Sequence, residues 1–396
     1  MKNMMCLLFS MLLTYGYSQA EWKTFNKSNS GLPSDTVNSI AIQSDGSRII
    51  GTNAGLVFFD GINWTVFNRR NSPLPGDTVQ AIYIDGQGNK WICTNNGLAC
   101  LSGIQWKVFD LPAEGVTVKS FCAMTMDTAG ILWLGSCSNG LVYSYIDSKW
   151  NSFSLGGFGQ TVFGTRQIVV APDNSKWFAS NGCGILEYND NTWNIWIKST
   201  SGLPNNSASS IVIDSLGNKW IGTYTRIMKA DSGLKTWTTI KSITDTRAMM
   251  LDKNGVLWAG TYGGGLFDYN GQTWKQDTVL PDKNVKCLAI DHRGTKWIGT
   301  QKGLTTYNEN GLGTRDILPA SASILVFPNP SSDILNIRCG RKPISAMIYS
   351  IRGEFIRSLS LENGLNQSEI RSLSEGIYLL RVIEEGSTRT VKFVKQ

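Results

Sequence analysis

The chain has 396 residues, of which 41% are apolar, and a chain of this size and composition can bury one or two large cores. Its net charge of +7 comes from 37 basic and 30 acidic residues with the two signs interspersed, so we expect no nucleic-acid partner, which needs a concentrated basic face. His292 is the single histidine, which excludes a metal site of several imidazoles and disfavours catalysis by a histidine base.

The N-terminal segment MKNMMCLLFSMLLTYGYSQA has one lysine, an apolar run to Leu13 and small residues at Ser18 and Ala20. This pattern predicts a secretory signal peptide over residues 1–20. The apolar run is too short to span a bilayer, and no later segment has 18 consecutive apolar residues. We therefore expect an exported chain without a transmembrane helix.

Two periodic series of tryptophans follow over residues 21–308. The first stands in WxxF-like segments, at intervals of 42, 42, 44, 43, 44 and 37 residues: Trp22, Trp64, Trp106, Trp150, Trp193, Trp237 and Trp274. The second stands in GNKW-like segments, with Ile49 in its first place: Trp91, Trp133, Trp177, Trp220, Trp258 and Trp297. Each unit contains four short strands, such as VQAIYID, KWICT, GLACL and WKVF, separated by turn residues, which predicts an all-β, seven-bladed propeller.

The order of strands within the units also predicts how the ring closes. The chain enters the periodic region on a WxxF-like strand and leaves it at GLTTYN without one. We therefore expect Trp22 to Asn26 to pair with Gly303 to Asn308, which covers two sheet edges that an open array would expose.

Residues that recur in every blade are predicted to be scaffold. Burial of one Trp contributes up to about 4–6 kcal/mol, from roughly 150–250 Å² at about 25 cal/mol per Å². We therefore assign Trp220 to the packing between blades. An Asp recurs three residues before a Gly and is better explained by Asx turns than by a metal site, at Asp85, Asp127, Asp214, Asp252 and Asp291.

The segments VNSIAIQSDGSRIIGTNAGLVFF, VQAIYIDGQGNKWICTNNGLACL and VKCLAIDHRGTKWIGTQKGLTTY resemble the two-component regulator propeller repeat. The resemblance covers most of residues 21–308 and implies an extracellular sensor-type propeller, a class that often recognises oligosaccharides. Members usually belong to membrane-spanning hybrid histidine kinases. This sequence contains no membrane helix, kinase or regulator, so we expect no signalling reaction within it.

The period stops after Asn308, and the polar stretch ENGLGTRDILPASAS predicts a linker over residues 309–323. Alternating apolar positions over residues 324–396 predict a small, Ig-like β-sandwich of up to seven strands. This segment resembles the C-terminal sorting domain of type IX secretion cargo, through its PNP, a turn at Gly353, the EGIYLLRV strand and a basic final strand at Lys392. The resemblance implies the type IX secretion machinery as a partner and a secreted or cell-surface location.

Seven cysteines remain after removal of a signal peptide. Cys93 and Cys100 flank one hairpin, and Cys122 and Cys137 meet where the first two strands of the third blade end. Either pair is a candidate disulfide, and free buried thiols are the alternative. No CxxC zinc pattern is present, and we expect neither a metal nor a cofactor.

A ligand site is expected where the loops from fourth to first strands and the turns from second to third strands surround the mouth of the central channel. These loops are shortened before Trp258 and Trp297, which predicts a low rim at blades six and seven. Alignment of the first strands places one residue of each blade near the mouth: Asn38, Gln80, Cys122, Arg166, Ser209, Arg247 and Lys286.

Six residues are candidates for ligand recognition. Three are the cations at that position, and three are in second-to-third-strand turns: Arg166, Arg247, Lys286, Tyr224, Tyr262 and Arg226. Arg226 replaces the turn glycine of most blades, and an Arg at positive φ would be strained unless the turn changes type. Arginine binds carboxylates through paired hydrogen bonds and tyrosine stacks on sugar faces, so the set suits acidic oligosaccharides. The alternative is that these long side chains only line a water-filled channel.

Three function classes follow from the sequence. The favoured one is a secreted or cell-surface, non-catalytic binding module for glycans or other extracellular ligands, with acidic oligosaccharides as the candidate ligand. A structural or adhesive propeller that binds another surface protein is the second. A polysaccharide lyase or hydrolase is the third and ranks last, because no Ser-His pair, paired-carboxylate motif or metal cluster is evident.

Overall fold

The computed structural model describes residues 21–309, 324–327, 329, 331–339, 345–351, 353–362, 364–384 and 387–396. Residues 21–308 form seven four-stranded antiparallel sheets. The innermost strands of consecutive sheets contact one another, and the last contacts the first, so the sheets form a closed ring. The all-β propeller predicted from the tryptophan periods is confirmed. The predicted signal peptide, the linker from residue 310 and both prolines of the PNP motif lie outside the described residues.

The strands of the seven blades follow the four-segment unit. In chain order they are β1 (Glu21–Phe25), β2 (Val37–Ile42), β3 (Arg48–Thr52), β4 (Gly55–Phe59), β5 (Trp64–Phe67), β6 (Val79–Ile84), β7 (Lys90–Thr94), β8 (Gly97–Ser102), β9 (Gln105–Val108), β10 (Phe121–Met126), β11 (Leu132–Ser136), β12 (Leu141–Ile146), β13 (Lys149–Ser154), β14 (Gly164–Val170), β15 (Lys176–Asn181), β16 (Gly184–Asn189), β17 (Thr192–Trp196), β18 (Ala208–Ile213), β19 (Lys219–Thr223), β20 (Arg226–Ala230), β21 (Trp237–Ser242), β22 (Thr246–Leu251), β23 (Leu257–Thr261), β24 (Gly265–Tyr269), β25 (Trp274–Asp277), β26 (Val285–Ile290), β27 (Lys296–Thr300) and β28 (Gly303–Asn308). A short 3₁₀ helix, Leu155–Phe158, follows β13.

The ring closes as the sequence predicts. The seventh sheet has the order β1-β28-β27-β26, and Trp22 lies opposite Tyr307 across the β1–β28 pair. Their rings stack with centroids 4.3 Å apart. The two ends of the periodic region are therefore joined by backbone hydrogen bonds and by aromatic packing.

The recurring Asp and Trp are scaffold, and they bond to each other. Asp291 Oδ1 accepts from the backbone N–H groups of Arg293 and Thr295 and so forms the expected turn, while its Oδ2 accepts from Trp297 Nε1 at 3.0 Å. The same Asp-to-Trp bond is made by Asp85, Asp127, Asp214 and Asp252. Trp220 is 8% exposed, in agreement with its assignment to packing.

A cation from the next blade completes this arrangement at several blade boundaries, which the sequence did not predict. Arg48 of blade one pairs with Asp291 at 2.9 Å and lies over the Trp297 ring at 4.3 Å. Lys176 pairs with Asp127 in the same way, at 3.1 Å. Because these contacts cross between sheets, they hold adjacent blades together, and the Arg48–Asp291 pair does so where the ring closes.

One of the two candidate disulfides is formed. Cys122 and Cys137 are bonded, with Cα atoms 5.0 Å apart. The Cys93–Cys100 pairing is wrong, because Cys93 lies opposite Leu98 and Cys100 opposite Trp91, so the two are diagonal neighbours. Diagonal positions lie about 7–8 Å apart, which exceeds the usual span of a disulfide. Burial raises the pKa of the Cys100 thiol to about 11.

The described part of the C-terminal segment has seven strands in two sheets. They are β29 (Ile324–Phe327), β30 (Ile334–Cys339), β31 (Ser345–Ser350), β32 (Phe355–Leu359), β33 (Gly364–Glu369), β34 (Gly376–Glu384) and β35 (Ser387–Lys395), in the orders β29-β30-β33 and β32-β31-β34-β35. Leu335 and Ile337 of one sheet share a core with Leu380 and Phe393 of the other. A β-sandwich is therefore present, while its likeness to an immunoglobulin domain and the domain boundaries stay predictions.

Candidate ligand-binding site at the channel mouth

A β-bulge at the same place in every blade creates the site. In each first strand the register with the second strand shifts across one residue, for example between Val285 and Cys287 on either side of Lys286. The seven bulged residues are those aligned from the sequence: Asn38, Gln80, Cys122, Arg166, Ser209, Arg247 and Lys286. A β-bulge interrupts the ladder of backbone hydrogen bonds at one residue and changes the direction of that residue's side chain.

All seven bulged residues line one cavity of about 360 Å³, which we call the channel mouth. This volume lies in the range of small-molecule sites. The other lining residues come from second-to-third-strand turns, from the loop before β6 and from β26: Asn53, Tyr262, Gln301, Thr78 and Val285. The cavity therefore lies on the face of the ring where the sequence analysis expects a ligand site.

The loops before the first strands of blades six and seven are short in the structure, and the low rim expected there stays a prediction. The loop before β22 consists of residues 243–245 and the loop before β26 of residues 278–284. The corresponding loops before β2, β6 and β18 run over residues 26–36, 68–78 and 197–207.

Arg247 is held in a fixed position beside these short loops. Its Nη2 donates to Asp245 Oδ2 at 2.7 Å, and its guanidinium lies over the Tyr262 ring at 5.4 Å and the Tyr224 ring at 6.0 Å. Tyr262 is 49% exposed and also lines the cavity. A guanidinium packed between two rings and bonded to a carboxylate loses little further freedom when it binds a ligand.

Lys286 and Arg166 complete the positive side of the mouth. Burial lowers the pKa of Lys286 below its usual range, and the nearby Arg247 charge acts in the same direction. Neither Lys286 nor Arg166 forms an ion pair with a described residue. The described residues that line the cavity include these three cations and no carboxylate. Arg247 is already paired with Asp245 outside the lining, so Lys286 and Arg166 supply the uncompensated positive charge that would attract an anion.

Tyr224 and Arg226 do not line the cavity, unlike the other four candidates. Tyr224 reaches it only through its contact with Arg247. Arg226 is exposed and its φ is not positive, whereas Gly55 and Gly303 at the same place have φ of 135° and 141°. The turn changes type, which removes the strain considered from the sequence. The structure does not bring Arg226 into the channel mouth.

Sequence reasoning placed Asn38 and Gln80 near the mouth but missed the amides of Asn53 and Gln301. Asn38 Nδ2 donates to Asn53 Oδ1 at 2.9 Å, and Gln80 Oε1 accepts from Ser120 Oγ at 2.9 Å. Asn53 and Gln301 occupy the turn position of Tyr262 in their blades, so an alignment of the second strands would have found them. The mouth thus brings amides of blades one, two and seven into the same cavity as the cations of blades four, six and seven.

Among the described residues, no group of three or more His, Cys, Asp or Glu side chains is arranged to hold a metal ion. None of the described segments forms a helix with the length and apolarity that crossing a bilayer requires. The polar groups that line the mouth are its amides, its cations and the hydroxyls of Thr78, Ser209 and Tyr262.

Comparison with known families identifies the C-terminal segment. Residues 325–396 match the Secretion system C-terminal sorting domain. A curated relative, Histidine kinase P4 of Formosa agariphila, is 28% identical over 197 residues, which are 44% of this chain and 14% of that protein. The chain thus spans about one seventh of the length of this relative.

Solved structures share the propeller fold. The extracellular domain of BT4673 from B. thetaiotaomicron, described as a hybrid two component system, superposes with a TM-score of 0.61 at 17% identity, covering 94% of this chain and 52% of that one. Virginiamycin B lyase from Staphylococcus aureus superposes with a TM-score of 0.62 at 14% identity, covering 73% of this chain and 99% of that one. The protein is thus a propeller protein with a type IX sorting domain, exported to the cell surface or secreted.

Proposed function

We propose that this exported propeller is a non-catalytic binding module for acidic oligosaccharides, and that the channel mouth is its binding site. The observation that carries the proposal is the ring of bulges, which directs Arg166, Arg247 and Lys286 into one cavity whose described lining has no carboxylate. A uronic acid carboxylate would accept paired hydrogen bonds from an arginine, and such charge-assisted bonds are stronger than neutral ones.

The remaining lining fits the rest of a sugar. The exposed ring of Tyr262 offers a face for the apolar side of a pyranose, and Asn38, Asn53 and Gln80 offer both donors and acceptors for hydroxyls. The low rim expected from the short loops would let a longer chain leave the cavity over blades six and seven. The ligand class that fits all three features is an oligosaccharide with a carboxylate on at least one residue.

A polysaccharide lyase is the alternative that the shared fold of virginiamycin B lyase keeps open. Two observations favour binding over cleavage. The single histidine, His292, lines a different cavity together with Asp252 and Glu309. The described lining of the mouth holds no carboxylate, so Tyr262 and Lys286 are the side chains of this lining that could act as a base. General acid–base chemistry needs a group within hydrogen-bond reach of the proton it moves.

Incubation of the purified protein with a panel of acidic and neutral polysaccharides tests the proposal and its alternatives. We expect the protein to be retained on at least one acidic polysaccharide whose chain length stays constant over hours. Shortened chains would identify an enzyme instead. Absence of retention on every polysaccharide would favour an adhesive propeller whose ligand is another surface protein.

A further inference from the structure

A second cavity lies on the side of the propeller, between blades three and four. It has a volume of about 820 Å³, and we call it the side groove. Its floor is aromatic: Trp133, Phe153 and Tyr188 pack against one another, with Tyr188 5.2 Å from Trp133 and 5.4 Å from Phe153 between ring centroids. Its rim is polar and includes Asn151, Ser152, Asp190 and Asn191.

The groove exists because one row of residues departs from the pattern of the other blades. In blade three, Trp133, Ser144 and Asn151 lie opposite one another across three strands. In each of the other rows at least one of the two outer positions carries a large or charged side chain, namely Phe58, Lys107, Glu187, Lys229, Asp268, Lys275 or Lys23. Ser144 and Asn151 are both short, so this row leaves Phe153 and Tyr188 partly exposed. Trp133 lies beneath them and is 2% exposed.

The missing cover is a lysine at the position of Asn151. Lys107, at the same place in blade two, lies over the Tyr145 ring of the next blade at 5.7 Å and donates to its hydroxyl at 3.3 Å. Lys275, at the same place in blade six, lies over the Tyr307 ring of the next blade at 6.0 Å. Tyr188 is the corresponding tyrosine of blade four, and its hydroxyl instead donates to Asn191 on the groove rim at 2.8 Å.

The charges around the side groove disfavour an anionic ligand. Lys176 lines it, but its ammonium is paired with the buried carboxylate of Asp127 at 3.1 Å. Asp190 at the rim is exposed and forms no ion pair with a described residue, so a carboxylate-bearing ligand would be repelled. The side groove therefore differs in charge from the channel mouth.

We propose that the side groove is a second binding site, and that it takes a neutral oligosaccharide. The aromatic floor suits the apolar face of a sugar ring, while Asn151, Asn191 and Asp190 suit hydroxyls, which both donate and accept hydrogen bonds. A proline-rich peptide is a poorer match, since proline has no N–H to offer the Asp190 carboxylate. The chain would then bind neutral and acidic sugars at separate places.

The test restores the absent lysine. Asn151→Lys introduces at the groove the type of side chain that lies over Tyr145 in blade three and over Tyr307 in blade seven. Asn194→Lys is the control, because it makes the same change at the equivalent position of blade four, opposite Glu187. The full chain and both variants are titrated with neutral β-glucan, xylan and mannan hexasaccharides, while tryptophan fluorescence is recorded. A uronate oligosaccharide and a proline-rich peptide are titrated in parallel.

We expect saturable binding of at least one neutral hexasaccharide, weakened at least tenfold in Asn151→Lys and unchanged in Asn194→Lys. Binding of the uronate is expected to be equal in all three proteins, which separates this site from the mouth. The proposal is overturned if no neutral hexasaccharide binds, if Asn151→Lys binds as wild type, or if only the peptide binds and Asn151→Lys abolishes that binding.

Discussion

At the scale of single residues, the channel mouth places a lysine where its charge is costly. Burial and the Arg247 charge both lower the pKa of Lys286, so the charged form is less stable in the folded protein than in water. Residues placed for binding often reduce stability in this way. The same half-buried position brings the ammonium to the cavity.

Lys286→Met is therefore expected to raise the melting temperature at pH 7 while it weakens binding of acidic ligands. A gain of about 1 kcal/mol corresponds to about 2–4 °C in domains of 150–250 residues. Below its lowered pKa, Lys286 is charged in both the folded and the unfolded protein, so the folded state bears the full cost of the half-buried charge. As pH rises from there toward 10.5, the folded state releases the proton first, so the wild type gains stability relative to the variant. Calorimetric melting from pH 7 to pH 10 measures this gap, and a gap that widens with pH would refute the assignment.

The Asp291 carboxylate joins four groups and is expected to be the most sensitive position of the scaffold. Asp291→Ala removes two turn hydrogen bonds and the Trp297 bond, and leaves Arg48 buried without its partner. Removing one member of a buried ion pair costs about 3–5 kcal/mol.

Asp173→Ala is a control in the corresponding turn of blade four, where Ala171 occupies the place of Asp291. Ser175 Oγ, and not Asp173, accepts the hydrogen bond of Trp177 Nε1 there, at 2.8 Å. This change should cost only the turn bonds, about 0.5–1.5 kcal/mol each. Equilibrium unfolding in urea compares the two variants, and equal losses would show that the bonds to Trp297 and Arg48 contribute nothing.

At the scale of elements, the sequence predicts what repeats and fails where one blade differs from the others. The tryptophan periods define seven four-stranded units, and because the bulge recurs in every blade, one alignment of first strands finds all seven bulged residues of the mouth. The ion pair between Arg48 and Asp291 was missed because it joins two different sheets. Arg226 was placed on the rim by its turn position alone, and its blade uses another turn type. Cys93 and Cys100 were paired by their sequence distance, which does not reveal a diagonal register.

Strand β1, which closes the ring by pairing with β28, is expected to protect a sheet edge. Deletion of residues 21–27 removes β1 and leaves β28 as an unpaired edge, with Tyr307 deprived of its stacking partner Trp22. Exposed edges pair with other chains, so we expect a lower melting temperature and concentration-dependent aggregation. Size-exclusion chromatography with light scattering measures it. A truncated protein that stays monomeric with unchanged melting would show that β1 does not protect the ring.

At the scale of the whole molecule, the two folded parts have separate tasks. The propeller and the C-terminal sandwich have separate hydrophobic cores among the described residues. Removal of residues 324–396 should therefore leave a propeller with unchanged melting, yet one retained in the periplasm because the sorting domain is gone. Cell fractionation with an antibody against the propeller measures this. Normal appearance of the truncated protein outside the cell would contradict the role of the sorting domain.

The central claim is that the channel mouth recognises the carboxylates of an acidic sugar. Calorimetric titration with a set of uronate oligosaccharides and their carboxyl-reduced counterparts tests it most directly, on the wild type and on Arg247→Ala. Arg226→Ala serves as the matched control, since Arg226 lies outside the mouth. We expect at least one uronate to bind more tightly than its reduced form and to lose about 1.5–3 kcal/mol in Arg247→Ala, the scale of a hydrogen bond to a charged group, with no loss in Arg226→Ala. Equal affinity for the acidic and reduced forms, or an Arg247→Ala variant that is folded and binds as wild type, would contradict the claim.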